Sequence, residues 1–119
     1  MRTVIVGASP KLERYSNKAQ KMLIANGHEV VGVRPGITKI EGMLCVPGLS
    51  DVSGPVDTVT MYVAASKSSS MVNDLLALKP RRVIFNPGSE NPALEAALLE
   101  AGILVEHACT LVLLTTDQY

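Results

Sequence analysis

The chain has 119 residues, 47% of them apolar, and its eleven basic and eleven acidic side chains cancel. That length favours one domain able to bury roughly two-thirds of its unfolded surface, and the apolar content excludes a disordered chain. Zero net charge gives no global case for nucleic acid or an anionic membrane, and two distant cysteines, Cys45 and Cys109, exclude a disulfide framework or a zinc site.

Arg2 to Val6 is a short β-branched run stopped by Gly7, the pattern of a buried strand. Ser16 is the expected N-cap of a helix in which Ala19, Met22, Leu23 and Asn26 share a face, and Asn26-Gly27 is its stop. His28 to Val33 makes a second strand, ended by Pro35-Gly36. A short strand is expected at Met43 to Val46, then a helical turn near Leu49 to Val52. Asp57 to Val63 is a strand and Ser66 to Leu78 a helix halted by Pro80. Arg82 to Asn86 is a strand, and Asn91-Pro92 opens a helix with a cap and a proline at its first position. That helix turns Leu94, Ala97, Leu98 and Ala101 inward and stops at Gly102. Ile103 to Glu106 is the last strand, and an apolar tail or short helix covers Cys109 to Thr116.

Strands alternating with helices imply a single α/β domain, a Rossmann-like doubly wound parallel sheet with helices on both faces. Ligands of such sheets bind beyond the carboxyl ends of the strands, where the strand order reverses. Those ends fall in loops at Gly7 to Ser9, Val33 to Pro35, Val63 to Ser66 and Asn86 to Glu90. No apolar run approaches the ~20 residues that span a bilayer. The chain enters a strand almost at once, without a signal peptide, so a cytoplasmic protein is expected.

The first loop lacks the glycines of a dinucleotide fingerprint: Ser9 and Leu12 stand where the second and third would be. A phosphate can still lie at a helix N-terminus, with Ser9 and Ser16 donating and Arg14 pairing. A side chain at Gly7 is expected to block that ligand with little unfolding. At the end of the second strand, where NAD binders place a carboxylate for the ribose, this chain has Arg34. An arginine suits a ribose that carries a phosphate, as in NADP or coenzyme A. The first forty residues agree, with seven Lys or Arg against two acids.

"VIVGAS", "RYSNKAQKMLIANGHEVVGVRP", "VPGLSDV" and "NPGSENPALEAALLEAGI", in that order, resemble the small stand-alone CoA-binding proteins. These are similar to the N-terminal domain of the succinyl-CoA synthetase α subunit. The resemblance covers nearly the whole chain and implies a Rossmann-like fold with coenzyme A, or an acyl-CoA, as ligand. It implies that Gly7, Ala8, Ser9, Arg14, Ser16, Arg34 and Pro35 hold the nucleotide end. Tyr62, Val63, Asn86, Pro87 and Gly88 would face the pyrophosphate or the pantetheine arm. Arg34-Pro35 stands where the family commonly has Asn-Pro, and Val63-Ala64-Ala65 where it often has Arg-Pro. The synthetase's phosphohistidine lies in a second domain, so no ligase activity carries over.

No acid–base or metal-ligand constellation stands out. His107 and Cys109 invite a Cys-His pairing without an orienting partner, and Cys45 is expected in the core. Asp74, Glu95 and Glu100 read as solvated charges on helix faces. The expectation is therefore a binder of a small nucleotide ligand, with no nucleic acid or membrane partner and no visible catalytic machinery. Two rivals stand beside it. One is an NADP-dependent, reductase-type domain. The other is a ligand-free interaction module whose tail, "TLVLLTT", docks a partner or a second copy.

Overall fold

Alternation along the first strand decides how the sheet is covered. A computed structural model of the chain describes residues 2–119. In β1 (Arg2–Val6), Val4 and Val6 enter one core cluster and Ile5 the other, so both faces must be buried. Such strands read as continuous apolar runs. α1 (Tyr15–Ala25) crosses to β2 (Glu29–Val33), which pairs parallel with β1. A two-residue strand β3 (Lys39–Ile40) hairpins onto β4 (Met43–Val46), which pairs parallel with β2. After a 3-10 turn at Leu49–Asp51 the chain passes to the far side of β1, where β5 (Thr58–Met61) pairs parallel with it. Then come α2 (Ala65–Ser68), α3 (Val72–Leu78), β6 (Arg82–Phe85), α4 (Pro92–Glu100), β7 (Leu104–His107) and α5 (Thr110–Thr115).

The resulting seven-stranded sheet has the order β3-β4-β2-β1-β5-β6-β7 and is parallel except for β3. Strand order reverses between β1 and β5, so the crevice of this doubly wound sheet lies beyond Val6 and Met61. Leu75 of α3 and Leu94 and Leu98 of α4 bury one face, while Leu23 of α1 and Leu114 of α5 cover the other. No helix among the described residues is long and apolar enough to cross a membrane.

Four sequence expectations change. Ser16 is not the cap of α1: the helix starts one residue earlier, Arg14 occupies the cap position in extended geometry, and no side chain caps it. The inner face of α1 is also more polar than its spacing suggests. Asn17 and Gln20 are buried, donating to the carbonyls of Ser9 (2.9 Å) and Ile40 (2.8 Å), while Asn26 is exposed. The helix expected over residues 66–78 is broken into α2, a 3-10 turn at Ser69–Met71, and α3. Ala101 caps the C-terminus of α4 and is exposed rather than inward.

The face under α5 carries a polar layer. Arg82, 3% exposed, donates from Nε to Thr58 Oγ1 (3.2 Å) and from Nη1 to Glu106 Oε1 (3.3 Å), and its guanidinium lies 4.6 Å from the Tyr119 ring. The Tyr119 hydroxyl meets Thr3 Oγ1 at 2.6 Å, and burial pushes that phenol above its ordinary range. The tail read as a docking surface is largely absorbed in this packing, since Leu113 is buried and Leu114 packs on the core, leaving Val112 outward.

At the opposite end of the sheet from the crevice, Arg81 binds Asp57 through Nε–Oδ1 (2.8 Å) and Nη2–Oδ2 (3.1 Å). This guanidinium holds the Asp57 carboxyl below its ordinary range. A depressed carboxylate contributes stability above its unfolded value and loses it as pH falls through the folded one. Arg81 is half exposed, so solvent screening limits the pair to about 1 kcal/mol or less. Asp57→Asn is expected to lose that amount at neutral pH and to converge on the parent only as pH falls below the depressed folded value of the Asp57 carboxyl, measured as urea midpoints across pH.

Candidate functional site

The loops beyond β1, β2, β4, β5 and β6 surround an open cleft of about 1070 Å³ at the switch point. Gly7, Ala8 and Ser9 border it. Gly7 has φ +91, and a Cβ there would lie 2.9 Å from Val63 Cγ1 and 3.3 Å from the Tyr62 backbone. Only glycine allows β1 and β5 to approach this closely, so Gly7 is required by the fold before any ligand arrives. The expectation that a side chain at Gly7 leaves folding intact is corrected accordingly.

Arg14 and Ser16 border the cleft at the start of α1. The absence of a side-chain cap leaves first-turn N–H groups available at the positive end of an eleven-residue helix. Ser16 is 4% exposed yet borders the cleft, so what remains accessible of it opens there. Arg34 reaches from the end of β2 across to the β1 loop, donating from Nη1 to the Ala8 carbonyl at 3.3 Å. Pro35 follows on the rim. On the far wall Val63 packs against Gly7, and Tyr62 borders the cleft while packing against the cluster beneath α1 and α5. Burial pushes the Tyr62 phenol up to about 12. Pro87 and Gly88 complete the rim beyond β6.

Asn86 is the expected site residue that does not border the cleft. It is 2% exposed, and its carboxamide is spent inside the protein. Nδ2 donates to Thr60 Oγ1 (2.7 Å) and the Met61 carbonyl (2.9 Å), and Oδ1 accepts from the Thr110 N–H (2.8 Å). It clasps β5, β6 and α5 together. His107 and Cys109 do not pair either. The His107 ring bonds Glu95 through Nε2 and stands edge-on to Phe85, and Cys109 caps α5 half-buried. Glu95 is thus no solvated charge: it is 9% exposed, and its other oxygen accepts from the Asn91 N–H at 2.8 Å. Cys45 is buried, which pushes its thiol above the ordinary range.

The cleft also takes in Lys67, which its place after Ser66 sets on this rim, and residues outside the sequence-based set, among them Lys11, Tyr15, Leu49, Met71 and Asp74. Lys11 and Lys67 join Arg14 and Arg34, so four cations border the cleft, against Asp74 as the one carboxylate among the described residues. None of the four forms an ion pair with a carboxylate of the described chain. A site of this composition favours an anionic ligand. Among the described residues no His, Cys, Asp and Glu side chains gather into a metal-binding group.

Fold and cleft together define a Rossmann-like α/β domain with an open, cation-rimmed crevice at its switch point. The family follows from comparison: residues 1–115 match the model of the CoA binding domain, and the chain belongs to that family. A solved crystal structure of an uncharacterized protein is 41% identical, with a TM-score of 0.89 over 99% of this chain and 97% of that one. The structure of cell-free ID.343 from Thermus thermophilus is 28% identical, also with a TM-score of 0.89, over 99% of this chain and 90% of that one. The uncharacterized protein YneT of Bacillus subtilis is 27% identical over 75 residues, or 63% of this chain and 56% of that relative's length. CoA binding is thus the general property that the family assigns.

Proposed function

We propose that the cleft holds coenzyme A, as the free thiol or a thioester, with the pyrophosphate at the N-terminus of α1. There Gly7, Ala8 and Ser9 give the phosphates a close backbone approach, and Arg14 and Ser16 donate to them. The ribose phosphate lies against Arg34 beside Pro35. The pantetheine arm leaves between Tyr62-Val63 and Pro87-Gly88, with Asn86 holding that rim in place from behind. The observation that carries this reading is that four cations without carboxylate partners border one cleft, which the uncapped start of α1 also borders. Charge without an internal partner is what an anionic ligand neutralises.

Calorimetry with coenzyme A and dephospho-CoA tests it, because the two differ only in the ribose phosphate. Arg34→Ala is expected to lose about 1.5–3 kcal/mol toward coenzyme A, the worth of a charge-assisted hydrogen bond, and far less toward dephospho-CoA. Equal losses for both ligands would remove Arg34 from the ribose phosphate. Binding of NADP as tight as that of coenzyme A would favour the reductase-type reading instead.

A further inference from the structure

We infer that Lys67 is a self-acylation site: its amine takes the acyl group of a bound acyl-CoA thioester and keeps it as an amide. This rests on the coenzyme A reading. Of the four cations that border the cleft, Lys11 and Arg14 stand on the β1–α1 loop and Arg34 just past β2, on the side given to the phosphates. Lys67 stands apart from them in α2, which follows the rim at Tyr62-Val63. α2 is also tied to Asn91, which closes the loop beyond β6: Asn91 Nδ2 donates to Ser68 Oγ at 2.8 Å and to Ser69 Oγ at 3.1 Å. The helix that carries Lys67 thereby bridges the two rim segments that flank the pantetheine arm, and Lys67 borders the cleft with Val63, Pro87 and Gly88.

The other nucleophiles at this end of the sheet are engaged or elsewhere. Ser70 Oγ donates to the Lys67 carbonyl (3.0 Å) and Ser89 Oγ to the Asn86 carbonyl (2.7 Å), and His107 and Cys109 do not border the cleft. A lysine amine attacks a carbonyl carbon directly once it has lost a proton. Lys67 is exposed and forms no ion pair with a carboxylate among the described residues, so no salt bridge holds its amine away. The ammonium first gives a proton to water, and the amine attacks the thioester carbon. A C–N bond forms and the C–S bond breaks. The thiolate leaves with the bonding pair and takes a proton from solvent, while the new amide nitrogen sheds one more. Acyl-CoA and Lys67 thus become coenzyme A and an Nζ-acylated lysine, with one proton released. The acylated side chain has lost its charge, so the cleft then meets its ligand with one cation fewer.

The probe is acetyl-CoA, incubated with the full chain, and acetylation is followed lysine by lysine in peptide mass spectra. A thioester held on a short flexible arm has an effective concentration of about 1 mM, so with about 0.1 mM acetyl-CoA in solution Lys67 is expected to react about tenfold faster than Lys39 and Lys79. Those two are exposed and do not border the cleft. Acetyl phosphate, an acyl donor without the nucleotide, is expected to show no such preference, and an excess of desulfo-CoA is expected to abolish it. A rate at Lys67 no higher than at Lys39 and Lys79, in protein that calorimetry shows to bind coenzyme A, would overturn this inference and leave the coenzyme A reading standing. An equal preference with acetyl phosphate would also overturn it, since the amine would then be reactive without the cleft. Failure to bind coenzyme A in the calorimeter would overturn that reading and this inference with it.

Discussion

Gly7→Val is expected to destabilise the fold strongly, instead of yielding a protein as stable as the parent that has lost only its ligand. Two costs coincide at this position. At φ +91 a β-branched residue is strained by about 1–3 kcal/mol. Its Cβ must also sit 2.9 Å from Val63 Cγ1 and 3.3 Å from the Tyr62 carbonyl carbon and oxygen, and only the first of these belongs to a side chain that can yield. Overpacking of this kind adds about 1–3 kcal/mol. Relief by backbone movement would strain the Gly7 N–H bond to the Val33 carbonyl (3.1 Å), which ties the loop to β2. A total of about 2–6 kcal/mol is a large share of the roughly 5–15 kcal/mol that holds a domain together. Urea midpoints would show the loss without any ligand present. A variant with the parent's midpoint that no longer binds coenzyme A would make ligand approach, and not strand approach, the reason for glycine here.

The strands were legible because both faces of a parallel sheet are buried, which leaves unbroken β-branched runs between Gly and Pro. The β3 hairpin was not. Its turn places Glu41 at φ 48 beside Gly42, and glutamate gives no sign of that geometry. What stabilises the turn is tertiary: Glu41 Oε2 accepts from Asn17 Nδ2 at 3.2 Å, and the Lys21 ammonium lies 3.6 Å from Oε1. Asn17 and Gln20 were hidden for the same reason, since a polar residue reads as solvent-facing until its buried partner is known. In the cleft, the loops at strand ends could be named from topology alone. Asp74 could not, because a continuous helix over residues 66–78 would make it one more surface charge. The break at Ser69–Met71 gives α3 its own start, and Asp74 borders the cleft. Glu95 reads as a solvated charge because its partner, His107, is contributed by a strand that follows it in the chain.

Asn86→Ala separates a structural amide from a ligand contact, and its expected effect is on stability. The parent carboxamide makes three hydrogen bonds of 2.7–2.9 Å at a position 2% exposed. Truncation strands the Thr110 N–H, the first amide of α5, and removes a partner from the Met61 carbonyl. One buried amide left unsatisfied costs about 1–3 kcal/mol and each of the two further bonds lost about 0.5–1.5 kcal/mol, so a loss of about 2–6 kcal/mol is expected. In a domain of this size that lowers Tm by on the order of 10–20 °C. Asn86→Asp is expected to fare no better. It keeps the acceptor for Thr110 but sets a carboxylate against the Met61 carbonyl in a place with no cation bonded to it. Because Asn86 does not border the cleft, the coenzyme A affinity of the folded fraction should change little. A variant with the parent's Tm and weakened binding would return Asn86 to the ligand contacts that the sequence suggested, and would require its amide to turn from α5 toward the cleft.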